Sequence, residues 1–217
     1  NLGAHVNDDP VAVAENRRRL RALAGLPDEP VWLTQVHGIA VVDAASSPPG
    51  TTADACFSST PGAVCAIQTA DCLPVLFCDT SGRVVAAAHA GWRGLAAGVL
   101  EQTVAAMGRQ GAAPDTILAW LGPAIGPQAF EVGDEVRTSF VGHDPAAALA
   151  FVAHGNGKWL ADIFLLARQR LGASGVSRIY GGGVCTVSDH ASFFSHRRDR
   201  ISGRQASLIW LDSTSRA

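Results

Sequence analysis

The stretch "VVAAAHAGWRG", residues 84–94, changes character in its middle. Val84 to Ala88 form an apolar run without alternation, the pattern of a strand covered on both faces. The run meets His89, then Gly91, Trp92, Arg93 and Gly94. Beyond the glycines, Leu95, Val99, Leu100 and Val104 recur at helical spacing as far as Met107. A buried strand that ends in an imidazole beside a turn is how a rigid scaffold presents a side chain to a cleft.

Upstream, "PGAVCAIQTADCLPVLFCDTSGR", residues 61–83, predicts two further strands, with a turn at Asp79–Gly82 before the third. "PVWLTQVHG", residues 30–38, reads as a strand, and "IAVVDA", residues 39–44, as its partner after a turn at Gly38. "SSPPGTT", residues 46–52, is a loop by composition. "DDPVAVAENRRRLRALAG", residues 8–25, predicts a helix. Asp9 caps it, Pro10 takes its first position, Gly25 stops it, and Val13, Leu20, Leu23 and Leu26 fall on one face. "TILAWLGPAIG", residues 116–126, and "SRIYGGGVCT", residues 177–186, read as strands running into glycine turns, and "ASLIWL", residues 206–211, as a closing strand. "FEVGDEVRTSFVG", residues 130–142, and "KWLADIFLLARQRLGASG", residues 158–175, have helical cores. With no repeat, low-complexity tract or linker, the fold class is α+β: one domain over 1–217, a mixed β-sheet core flanked by helices.

The 217 residues are 47% hydrophobic and 17% charged, the balance of a compact globule. A formal net charge of −2 argues against a nucleic-acid partner. No apolar run reaches membrane-spanning length, so no membrane association is expected. The densest basic region, His190, His196, Arg197, Arg198, Arg200 and Arg204, is expected to be a solvated face. Five cysteines without framework spacing suit a reducing compartment, hence a cytoplasmic location. The chain opens at Asn1 without a Met, which suggests a processed or truncated start. Oligomeric state is not legible.

His37, Cys72 and His89 each sit at a strand end beside a turn. Two imidazoles and a thiolate suit a three-ligand zinc site with an open fourth position. Their wide spacing rules out a local zinc knuckle. Cys72 and His89 also suit a nucleophile and its base, and the two readings compete for one thiolate. Arg93, in a glycine-flanked turn into a helix, is a candidate oxyanion clamp. "FFSHRRD", residues 193–199, offers Phe194 as a stacking face and Arg198 as an anion contact. Gln35, beside His37, completes the candidate substrate-binding set.

"WLTQVHG", "TADCLPVLFCD", "AAAHAGWRGLAAGVLE", "AWLGPAIGPQAFEVG", "KWLADIFLLARQRL" and "FFSHRRDRISGRQASLIWL", in that order, resemble the YfiH family across 1–211. Its members have been labelled laccase-domain proteins, polyphenol oxidases and purine nucleoside phosphorylases. The resemblance implies a single α+β domain similar to the catalytic domain of cytotoxic necrotizing factor toxins. It implies a zinc or copper site on His37, Cys72 and His89. It also implies an N-terminal segment, with an arginine and paired glycines, ahead of "NLG". The implied activity is phosphorolysis of adenosine, inosine and methylthioadenosine with deamination of adenosine, so the small-molecule partners are a nucleoside and phosphate. The implied alternative is an amidase that edits a cytoplasmic muropeptide precursor through zinc or Cys72. A copper polyphenol oxidase is a third, and a non-catalytic domain stapled by zinc a fourth. A multicopper centre needs more histidine clusters than the scattered His5, His143, His154, His190 and His196 offer, and the only methionine, Met107, lies far along a helix. For the nucleoside reading, His89, Cys72 and Asp71 are the catalytic candidates, with Arg93 or Arg198 holding phosphate and Asp71 orienting a ligand histidine or the neighbours of the thiolate by a hydrogen bond.

Overall fold

The computed structural model describes residues 1–212. The elements are α1 (Pro10–Ala24), β1 (Val41–Asp43), β2 (Ala55–Ser58), β3 (Cys65–Thr69), β4 (Leu73–Asp79) and β5 (Val85–Ala90). They continue with α2 (Trp92–Ala97), α3 (Val99–Arg109), β6 (Ile117–Leu121), β7 (Glu131–Gly133), α4 (Asp134–Val141) and β8 (Phe151–Ala153). The last are β9 (Lys158–Ala161), α5 (Ile163–Ala173), β10 (Arg178–Gly181), α6 (His196–Asp199) and β11 (Gln205–Ile209). No helix among the described residues is long and apolar enough to cross a membrane.

A mixed six-stranded sheet in the order β1-β2-β5-β4-β6-β10 forms the centre. Its two edge pairs, β1 with β2 and β6 with β10, are parallel and the inner pairs antiparallel. β3 and β11 pair as a second sheet, and β7-β9-β8 make a third. The apolar run of β5 is covered on both faces, as its lack of alternation predicts. Ala86, Ala88 and Ala90 enter the larger core, packed with Leu95, Leu100 and Met107 of α2 and α3. Val85 and Ala87 enter the smaller one, with Ile67 and Cys65 of β3. Period-2 geometry therefore sends His89 to the side occupied by β3.

Several elements differ from the sequence reading. Residues 30–38 form no strand. Val31 and Thr34 make single bridges to Cys65 and Thr52, and the Gln35 carboxamide stands in for a ladder pair by bonding the backbone N–H and C=O of Gln68. β1 consequently pairs in parallel with β2, an element the sequence reading omits, and not with the preceding segment. The two expected strands before β5 go to different sheets, β3 pairing with β11 and β4 with β5. The helix after Gly94 is two helices, broken at Gly98, whose φ is 104°. The helical cores of residues 130–142 and 158–175 are α4 and α5, and the short strands β7 and β9 precede them. α1 keeps its expected cap, its Pro10 and its left-handed Gly25, but Leu23 is 88% exposed, because only one edge of the helix packs inward.

The β4–β5 turn is fixed by Asp79. Its buried carboxylate accepts from the backbone N–H groups of Arg83 (2.7 Å) and Val84 (2.9 Å) and from the Ser81 hydroxyl. Burial pushes this carboxyl up, but the hydrogen bonds outweigh it and hold it below the usual range. A depressed folded-state pKa gives stability above the unfolded value that is lost as pH falls through the folded one. Asp79→Ala should destabilise by about 1–3 kcal/mol at pH 7, because the N–H of Val84 is left buried and unpaired. In denaturant melts the deficit should shrink below pH 4; a deficit that is constant with pH would contradict this account.

Candidate functional site

Two cross-strand pairs align the site. Ala55 lies opposite Ala88 and Leu73 opposite Ala90. One step outward, Asp54 faces His89, and Cys72 faces Gly91. The His89 N–H donates to the Asp54 carbonyl at 2.7 Å, continuing the ladder. On the same face, His89 Nδ1 meets Asp54 Oδ1 at 2.8 Å, and both groups are buried. Nε2 of His89 is thereby the ring nitrogen left for the site.

Asp54 also holds the second imidazole. Its carboxylate accepts the backbone N–H groups of Val36 (3.2 Å), His37 (2.8 Å) and Gly38 (2.6 Å). This anchors a loop in which His37 adopts a left-handed φ of 61°. Cys72 Sγ then lies 3.7 Å from His37 Nε2, and the rings of His37 and His89 meet edge to face with centroids 4.7 Å apart.

The glycines of the opening stretch are explained by this loop. A Cβ on Gly91 would lie 2.7 Å from His37 Cδ2 and 3.0 Å from Cys72 Sγ. A Cβ on Gly94 would lie 2.9 Å from the Gly38 carbonyl. Both glycines admit the His37–Gly38 loop.

Donor atoms of His37, Cys72 and His89 all lie within 4.8 Å of one another. Ligands on a shared tetrahedral zinc ion stand about 3.5 Å apart, so the donor set and its spacing fit a metal. No other such cluster occurs among the described residues. Burial pushes the Cys72 thiol up, but the His89 charge and the two imidazole hydrogen bonds outweigh it and bring it to about 6. Burial lowers His89 in turn, while Cys72 and Asp54 raise it to about 9. Each group thus favours the charged form of the other, and a thiolate is the state of sulfur that binds metals or attacks carbonyl carbon.

Cys72 separates two cavities. A polar cleft of about 410 Å³ is lined by His37, His89, His5, Gln35, Arg93 and Arg204 among others. An apolar pocket of about 190 Å³ lies on the other side, with Trp92, Ile125, Phe130 and Ile163. Ala70, Cys72 and His196 line both. Arg93 is exposed, with its guanidinium 4.6 Å from the Trp92 ring centre.

Three sequence candidates have other work. Arg198 spends its guanidinium on Asp199 and on the carbonyls of Thr186, Val187 and Phe193, so it is not a free anion clamp. Phe194 packs against Gly203 and lines neither cavity. Asp71 accepts from Thr186, Ser195 and the N–H of Arg197, so the carboxylate that orients a site imidazole is that of Asp54. The basic region is solvent-exposed at His190, His196, Arg197 and Arg200, as expected, but Arg197 and Arg204 also bind backbone carbonyls and so brace the loops beneath them. Asp54, Arg204 and His5 were missed. Only Asp54 left a signal, a carboxylate between Ala53 and Ala55 at the mouth of an apolar segment.

Over residues 1–212 the chain matches the family described as multi-copper polyphenol oxidoreductase laccase. It is 58% identical over 212 residues to an Escherichia coli K12 protein named purine nucleoside phosphorylase YfiH, covering 97% of this chain and 86% of that one. It is 60% identical to a Pseudomonas aeruginosa protein also named purine nucleoside phosphorylase, covering 97% and 85%. The chain belongs to the YfiH family. A crystal structure of a Neisseria meningitidis protein superposes with a TM-score of 0.93 at 52% identity, covering 98% of this chain and 86% of that one. The Bacillus licheniformis YfiH structure does so with 0.92 at 29%, covering 98% and 85%. In this chain the fold is a mixed sheet with helices in which donor groups from three separate segments meet.

Gly91→Ala tests the packing at this point. It should cut metal bound per chain by about tenfold while moving the global unfolding midpoint little, since the clash falls on the donors. Unaltered metal content by elemental analysis would show that the loop yields freely.

Proposed function

We propose that this protein is a metal-dependent purine nucleoside phosphorylase. The observation that carries the reading is the junction at Cys72 between an apolar aromatic pocket and a polar cleft bearing arginines. A planar purine suits the pocket formed by Trp92, Phe130, Ile125 and Ile163. Phosphate suits the cleft, where Arg93 and Arg204 supply positive charge and Gln35 stiffens the wall through Gln68. The names of the E. coli and P. aeruginosa relatives support the same reaction. Phosphate oxygen attacks the ribose carbon bonded to the base, and that bond's electron pair leaves with the purine. Adenosine, inosine and methylthioadenosine are the proposed substrates, with adenosine deamination as a second activity.

His37, Cys72 and His89 would hold zinc, or copper, with an open position. When bound, the ion supplies Lewis-acid stabilisation of developing negative charge. Asp54 keeps both imidazoles in register, and Asp71 fixes the backbone on which Cys72 sits. Five free thiols support a reducing, cytoplasmic setting.

A second reading has its own observation. Asp54, His89 and Cys72 form a line of carboxylate, imidazole and thiolate, the arrangement of a cysteine hydrolase acting on a muropeptide-like amide.

Metal-loaded protein incubated with inosine and phosphate should yield hypoxanthine and ribose 1-phosphate, identified by mass. Turnover should depend on phosphate and fall by at least about 100-fold in His89→Ala. Cleavage of muropeptides instead, abolished by alkylating Cys72 in the metal-free protein, would replace the first reading with the second. Turnover of inosine that survives loss of the ion would remove the metal from the chemistry.

A further inference from the structure

We propose that His196 is the proton donor to the departing purine. The inference rests on the phosphorylase reading and deepens it by assigning a second catalytic residue. A purine that leaves with the bond's electron pair is a poor leaving group unless its imidazole ring is protonated at N7. The acid must therefore stand where the base pocket meets the reacting carbon.

His196 occupies that position. With Ala70 and Cys72 it lines both the apolar pocket and the polar cleft. Its imidazole makes no hydrogen bond or ion pair among the described residues. The other groups of the apolar pocket are unsuited to the task. Arg197 and Arg200 hold their protons too tightly to give them up. The Asp71 carboxylate already accepts three hydrogen bonds. His5 lines the polar cleft but not the apolar pocket.

The position of His196 is fixed relative to Cys72 by a short covalent and hydrogen-bonded circuit. Asp71 precedes Cys72 in a left-handed conformation, φ 84°. Its Oδ2 accepts from the Ser195 hydroxyl at 3.1 Å and from the Arg197 N–H at 2.6 Å, the residues on either side of His196. Ser195 Oγ accepts from the Arg198 N–H at 3.1 Å, which closes the single turn of α6. This gives buried Asp71 a purpose that its sequence context did not reveal.

In the step, a phosphate oxygen bonds to the ribose carbon and the carbon–N9 bond breaks toward the purine. The His196 imidazolium gives its proton to N7, and the neutral imidazole regains one from water. The products are the neutral base and ribose 1-phosphate, with no oxidant or reductant required.

The test compares inosine with 7-methylguanosine, whose N7 is alkylated and whose base departs without an acid. In the metal-loaded holoenzyme, His196→Asn should lower kcat on inosine by about 100-fold and leave 7-methylguanosine within about threefold of wild type. KM for phosphate should stay constant. His196→Gln should give the same pattern, and unchanged metal content and melting temperature in either variant verify folding. Equal loss on both nucleosides, or no loss on inosine, overturns the assignment while leaving the phosphorylase reading intact. Wild-type protein inert toward both nucleosides overturns the two together.

Discussion

The site depends on one buried carboxylate. Asp54 receives the imidazole of His89 from a neighbouring strand and three consecutive backbone N–H groups from the loop that carries His37. Burying an anion is costly unless its lone pairs are occupied, and here they are. The burial that raises this carboxyl is outweighed by His89 and the backbone donors, so it remains below the usual range. The same bonds that make its charge tolerable fix two site residues in space. Removing Asp54 would release a loop, a tautomer and an ion pair together.

Around that anchor the fold supplies positions and the glycines supply room. Asp54, Cys72 and His89 stand at adjacent strand ends of one sheet, so the hydrogen-bond ladder sets their spacing. His37 comes from outside the sheet, and its loop fits only because Gly91 and Gly94 lack Cβ atoms. Asp71 plays the matching part on the far side, tying α6 to the strand that carries Cys72. Cys72 thus lies between two carboxylate-centred clusters, one holding the imidazoles and the other the rim of the apolar pocket. That double bracing suits a centre whose donors must keep their geometry while a ligand enters and leaves.

The family description speaks of several coppers, whereas the curated relatives are named phosphorylases. The donor inventory favours a single ion. Among the described residues one cluster brings three donors together, and it offers two imidazoles and one sulfur. His143, His154 and His190 take no part in it.

The sequence by itself determined what local patterning can determine. The unbroken apolar run of β5 announced a strand buried on both faces, and Asp9, Pro10 and Gly25 marked the ends of α1. His37, Cys72 and His89 could be nominated because each interrupts or ends a segment otherwise committed to burial. Tertiary structure decided how those segments pair: that β3 leaves the central sheet for β11, that β1 runs parallel to β2, and that residues 30–38 are not a strand. It also decided which polar residues are structural, sending Arg198 and Asp71 to loop anchoring and bringing Asp54 to the imidazoles. The physical reason is that hydropathy and spacing record how much of a segment is buried, while strand partners and carboxylate partners are chosen by groups distant in the chain. Asp54 and His89 become neighbours only through the register of β2 against β5, which neither segment encodes alone.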